Sequence, residues 1–94
     1  MLTFNMDAIA PRLARASAVL GLPASTADAF LQWILDLRAA IGIPHTLREL
    51  GVPAANLSVL SVAAAADPSA GGNPLPFDAE AAHTVLERAF HGRL

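Results

Sequence analysis

Three features of the 94-residue sequence predict an all-α fold. Apolar residues recur at three-four spacing, most clearly in Ala82, Val85, Leu86, Ala89 and Phe90, which is the signature of one face of a helix. No segment alternates polar and apolar residues at period two, and no Asn-Gly hairpin dipeptide occurs. Gly21, Gly42, Gly51 and Gly92 each stand where an apolar-periodic run stops, the position at which glycine closes a helix. The expectation is a compact bundle of about five helices, one of them short, forming a single domain over residues 1–94.

The first helix is predicted from Pro11 to Leu20. Proline suits a first helical position because its missing N–H would have had no partner there. Residues 1–10 lead into it, with a turn at Asn5 to Asp7. The second helix covers Thr26 to Ile41, capped by Ser25 with Asp28 in the capping-box position. Its apolar face is wide enough, through Phe30, Leu31, Trp33, Ile34 and Leu35, that Asp28, Gln32 and Asp36 make the polar stripe, so it is expected to be covered on more than one side.

A short helix follows in "PHTLRELG", where Thr46 and Glu49 have capping-box spacing and Gly51 ends the run. The segment from Ala54 to Ala66, "NLSVLSVAAAA" included, is apolar almost all round and is expected at the centre of the bundle. After "DPSAGGNP", Asp78 caps a last helix that ends at Gly92.

Composition narrows the function. The chain is 54% hydrophobic and 15% charged, with a mean hydropathy of +0.48, against about 25% charged in ordinary globular domains. Helix faces are therefore expected to be covered by a partner. The formal net charge of −2, with no lysine and no basic cluster, gives no electrostatic footprint for nucleic acid. The absence of cysteine excludes disulfides, thiolate metal sites and cysteine nucleophiles, and fits a cytoplasmic setting. Apolar runs are broken well before the ~20 residues of a membrane span, and no targeting signal is visible.

Little else resembles chemistry. "SAGGNP" lacks both the Gly-x-Gly-x-x-Gly fingerprint and a Gly-Lys-Ser/Thr ending, so Gly71 and Gly72 read as positive-φ residues in a connection. On the last helix Glu80, His83, Glu87 and His91 share a face, a spacing that could hold a metal. A di-metal bundle, however, needs a second Glu-x-x-His and further inward carboxylates. The face is read instead as solvated, opposite the apolar stripe, with His83–Glu87 and Glu87–His91 contacts. His45 reads as a cap or interface residue, and no Gly-x-Ser-x-Gly elbow is present.

Taken in order, "LTFN" at the start, "AIGIPHTLRELGV" over Ala40 to Val52, the helix ending "AAAAD", then "GGNP" and a capped last helix resemble the C-terminal part of iron-containing alcohol dehydrogenases. The pattern Gly-Ile-Pro-x-x-Leu-x-Glu-x-Gly-Val followed by Asp-x-x-x-Gly-Gly-Asn-Pro carries most of the resemblance. It implies a helical C-terminal domain that works beside an N-terminal dinucleotide-binding domain, with a divalent metal and substrate in the cleft between. It also implies that Asp67, Ser69, Gly71, Gly72 and Asn73 form a cleft-wall loop near the nicotinamide end.

The family's cofactor loop and its Asp and His metal ligands match no residue here. No catalytic, cofactor-binding or metal-binding residue is therefore assigned. The isolated chain is expected to bind neither iron nor NAD(P), both of which the resemblance implies for the full-length enzyme. The expected role is a cleft wall and packing surface, not catalysis alone. The alternative is a stand-alone helical association module. Expected partners are a second copy of the chain or a missing dehydrogenase N-terminal portion, and neither nucleic acid nor membrane.

Overall fold

The computed structural model describes all 94 residues, Met1–Leu94, and is entirely helical: four α-helices and two 3₁₀ turns, with no strand. The chain divides into two units, Met1–Ile43 and Pro44–Leu94.

In the first unit, α1 runs Leu2–Val19 and carries Pro11 in its interior. The predicted start at Pro11, and the turn over Asn5 to Asp7, are thus corrected. Proline removes the N–H that would bond the Asp7 carbonyl, but both residues are exposed, so water can serve that carbonyl. The buried stripe of Asn5, Leu13 and Ser17, spaced in multiples of four, holds the helix across the proline. Gly21, at φ 67°, closes it: Gly21 N–H donates to Ala18 O at 3.1 Å and Leu22 N–H to Ser17 O at 3.0 Å.

Helix α2, Ala27–Ala40, is capped by Thr26, whose Oγ1 accepts from the Ala29 N–H at 3.1 Å. The cap lies one residue later than predicted, so the Ser25–Asp28 box does not form. Gln32 Nε2 donates to Asp36 Oδ1 at 2.8 Å on the exposed stripe. Phe30, Leu31, Trp33, Ile34 and Leu35 are half-buried and no residue of α2 is fully buried, so the expectation of cover on several sides is not met within this chain. Helices α1 and α2 pack together, and the fully buried Ser17 hydroxyl donates to Thr26 O at 2.7 Å, tying the end of one helix to the cap of the next.

In the second unit the predicted short helix of "PHTLRELG" is a turn. Its reciprocal cap nevertheless forms: Thr46 N–H donates to Glu49 Oε2 at 2.9 Å and Glu49 N–H to Thr46 Oγ1 at 3.0 Å. No helix grows from it because the chain already closes at Gly51, with Val52 N–H bonded to Leu47 O.

A 3₁₀ turn, Ala54–Asn56, leads into α3, Leu57–Ala66, which packs against α4, Ala79–His91. Leu57, Ala82 and Phe90 form the buried core of this unit, and burial of the Phe90 ring contributes about 2 kcal/mol. Helix α3 is not central. One face buries Leu57 and Ser61, while Val59 is 72% and Val62 62% exposed. Asp78 Oδ1 accepts from the Ala81 N–H at 2.9 Å, and Gly92 closes α4 at φ 72°, as the sequence predicts. No helix is long and apolar enough to cross a membrane.

Candidate functional site

The loop after α3 is a second 3₁₀ turn, Pro68–Gly72, built from its own side chains. Asp67 stands at its entry in extended conformation, and Pro68 occupies the first position, where a missing N–H costs nothing. The Asp67 Oδ1 atom accepts from the Ser69 N–H at 2.8 Å and from the Ser69 hydroxyl. These bonds, the hydroxyl first and the N–H second, hold the Asp67 carboxyl below the usual aspartate range. At the exit, Asn73 Nδ2 donates to Leu75 O at 2.7 Å, and Asn73 N–H donates to Ala70 O at 3.1 Å.

Of the five loop residues singled out in the sequence, Asp67, Ser69 and Asn73 therefore brace the turn from both ends. Gly71 and Gly72 do not behave as predicted. Neither has positive φ, and a Cβ added to either would meet nothing within 4 Å. The chain itself does not require glycine at these two positions.

An open groove of about 450 Å³ runs beside the loop, lined by Ala65, Ala70, Gly71, Asn73, Leu75 and Phe77, with Pro74 and Pro76. Sequence reasoning stopped at Pro74 and missed Leu75 and Phe77. The signal available was "PLPF", a proline-spaced apolar pair that cannot continue a helix.

The histidines are engaged elsewhere. His45 Nε2 lies 3.0 Å from the carbonyl oxygen of Gly92, the residue that closes α4. His83 lies not on a solvated face opposite the stripe but at its edge, half-buried, with Nδ1 3.2 Å from Ser61 Oγ. At about 100° per residue, positions 83, 86 and 90 share one side, which is why His83 turns toward α3 and not toward Glu87.

His91 Nδ1 is 3.5 Å from Arg48 Nη2, and the Arg48 guanidinium lies 4.9 Å from the centre of the Phe90 ring. A guanidinium only donates, so His91 Nδ1 is the acceptor. No three His, Asp or Glu side chains gather into a set that could hold a metal ion.

The arrangement thus offers a braced loop, an open apolar groove and two glycines with free space above them, but no convergent reacting groups. Against known protein families, residues 1–90 match the Fe-containing alcohol dehydrogenase family, C-terminal. Neither a curated protein nor a solved structure matches the chain.

Proposed function

The chain belongs to the Fe-containing alcohol dehydrogenase family, to its C-terminal part, and from that premise we propose that it serves as the helical wall of a dehydrogenase cleft. In this reading the loop from Asp67 to Asn73 faces the alcohol and the NAD(P) cofactor, and the reacting groups come from the nucleotide-binding, metal-binding portion of the enzyme. The setting proposed is the cytoplasm.

The observation that carries the reading is the pair Gly71 and Gly72. They have no internal need for glycine and nothing lies within 4 Å of a Cβ added to either, and Gly71 lines the groove. Glycine is favoured where a ligand or another backbone approaches closely. The side chains around them are already satisfied within the loop, so the wall is fixed before anything docks on it.

The family implies iron, and the residues of this chain do not fit a metal. His45, His83 and His91 are held by Gly92, Ser61 and Arg48 respectively, and no carboxylate pair joins any of them. No step through a metal or a nicotinamide is therefore derived from these residues. What the chain contributes is shape, an apolar surface and the exclusion of water from one side of the cleft.

The test is complementation. The chain is co-expressed with the nucleotide- and metal-binding portion of a family dehydrogenase, and reduction of NAD or NADP is followed with 1-propanol and added Fe²⁺ or Zn²⁺. Activity that requires both parts supports the proposal. A folded, metal-loaded complex without activity contradicts it.

One observation favours a second reading, association through helix faces. Helix α3 has no charged residue and leaves Val59 and Val62 largely exposed, an arrangement that normally awaits cover. Light scattering on the purified chain separates the two. A concentration-independent monomer removes this reading, and a discrete dimer supports it.

A further inference from the structure

The C-terminal end of α4 gathers cations that the sequence keeps apart. Gly92, at φ 72°, turns the chain back, and the Arg93 N–H donates to Arg88 O at 2.8 Å, which returns Arg93 beside the last turn of the helix. Thr84, Arg88 and His91 follow one another at steps of four and three, so they share one face. Together with Glu87, Arg93 and Leu94 they line an open cavity of about 440 Å³. His91 also borders a second cavity, of about 270 Å³, with Thr46, Arg48, Glu49 and Phe90. Arg48, 43 positions before His91, is held there by the Phe90 ring at 4.9 Å and by His91 Nδ1 at 3.5 Å. Half of the chain's six basic residues thus stand around one histidine.

A helix C-terminus ordinarily recruits cations for its own carbonyls. Here other donors serve them. Arg88 O accepts from the Gly92 and Arg93 N–H groups, Ala89 O from the Leu47 N–H at 3.1 Å, and Gly92 O lies 3.0 Å from His45 Nε2. The Arg88 and Arg93 guanidinium groups form no hydrogen bond or ion pair within the chain. Of the carboxylates at the two cavities, Glu49 is engaged by the Thr46 N–H and hydroxyl, which leaves Glu87 to face the cations.

We propose that the cavity between Arg88 and Arg93 is a phosphate site, taking inorganic phosphate or the phosphate of a phosphomonoester on the two guanidinium forks, with the Thr84 hydroxyl as a further donor. The class follows from the donors. A guanidinium presents N–H groups in a planar fork that matches phosphate oxygens, and it stays charged at every working pH. Arg48, across His91, adds attraction without contact. Glu87 opposes it, and the exposure of all these side chains to water screens each pair, so the site is a weak one.

The experiment follows the backbone amides and arginine Nε–H groups of the 94-residue chain by NMR at neutral pH. Sodium phosphate or phenyl phosphate is added while chloride keeps the ionic strength constant. Saturating shifts at Thr84, Arg88 and Arg93 are expected, with a Kd on the order of 1 mM. Tighter binding of phenyl phosphate assigns the site to a phosphomonoester, and tighter binding of inorganic phosphate to the free anion. Arg88→Gln and Arg93→Gln should each weaken binding about fivefold, the upper worth of an exposed charge pair, and Glu87→Gln should tighten it about twofold. Arg12→Gln and Arg15→Gln, on the exposed face of α1, should leave it unchanged.

Shifts that rise linearly with both probes, or that saturate equally in the Arg88 and Arg93 variants, overturn the inference. So does weaker binding in Glu87→Gln, or a loss in Arg12→Gln as large as that in Arg88→Gln. The cavity shares no residue with the groove beside the loop, so either result leaves the cleft-wall reading where it stands.

Discussion

The Nε2 atom of His45 lies 3.0 Å from the carbonyl oxygen of Gly92, 47 positions along the chain, and pins the end of α4 to the turn before α3. The contact works because Gly92 has no side chain. A Cβ there would come to 2.8 Å from His45 Cδ2 and 3.0 Å from Thr46 Cγ2, on a backbone at φ 72°. Gly92→Ala is expected to cost about 2 kcal/mol, roughly half of it from the left-handed backbone and the rest from lost packing. Gly21→Ala, with the same backbone and open space around it, should cost about 1 kcal/mol. Urea unfolding of the two variants checks this, and equal costs would mean that the His45 contact contributes nothing.

Ser61 is 2% exposed and its hydroxyl donates to Leu57 O at 2.6 Å. Its one proton is spent there, so His83 must donate from Nδ1 across the 3.2 Å contact. Nitrogen NMR is expected to show the Nδ1–H form of neutral His83. Ser61→Ala should cost about 1–2 kcal/mol, since it strands a half-buried donor. An Nε2–H tautomer would contradict the assignment.

Glu49 is held below the ordinary glutamate range, first by the Thr46 N–H and then by the Thr46 hydroxyl. Its folded-state value is depressed, so its contribution is fully present above the unfolded-state value and is lost as pH falls through the folded one. The loss therefore runs downward from about pH 4.5. In an NMR titration the Thr46 amide should shift with a midpoint below that of a model glutamate peptide. Glu49→Gln should abolish the shift.

Pro11 sits inside α1 on its exposed face. Pro11→Ala supplies the N–H that the Asp7 carbonyl lacks and removes a ring from a helix interior. The expected gain is about 2 kcal/mol, read as a higher urea midpoint. A loss of stability would show that the proline is required where it stands.

Gly71→Ala and Gly72→Ala should change the chain's own stability by less than about 0.5 kcal/mol, because an added Cβ meets nothing. In the complemented enzyme the same variants should reduce activity. A loss of stability in the chain alone would show that the glycines serve the fold and not the cleft.

The sequence was most legible where a signal is local. The Asp78 cap, the stop at Gly92 and the three-four stripe from Ala82 to Phe90 needed only neighbouring residues, and all are found. The start of α1 was illegible because Pro11 is a good first residue and an acceptable exposed interior one, and burial of Asn5, Leu13 and Ser17 decides between the two. The Thr46–Glu49 cap was read correctly and its helix was not, since capping marks a start and Gly51 sets the length. At the loop, residue types suggested a connection. The roles of Asp67 and Asn73 as braces, and of Leu75 and Phe77 in the groove, depend on a turn geometry that composition does not encode.

The most direct measurement of the central claim is immunodepletion of the source cell extract with an antibody raised against residues 67–78. The account predicts that alcohol-dependent NAD(P) reduction leaves the extract together with the captured polypeptide or complex. Capture of a free 9.7 kDa chain, with all such activity left behind, would contradict it.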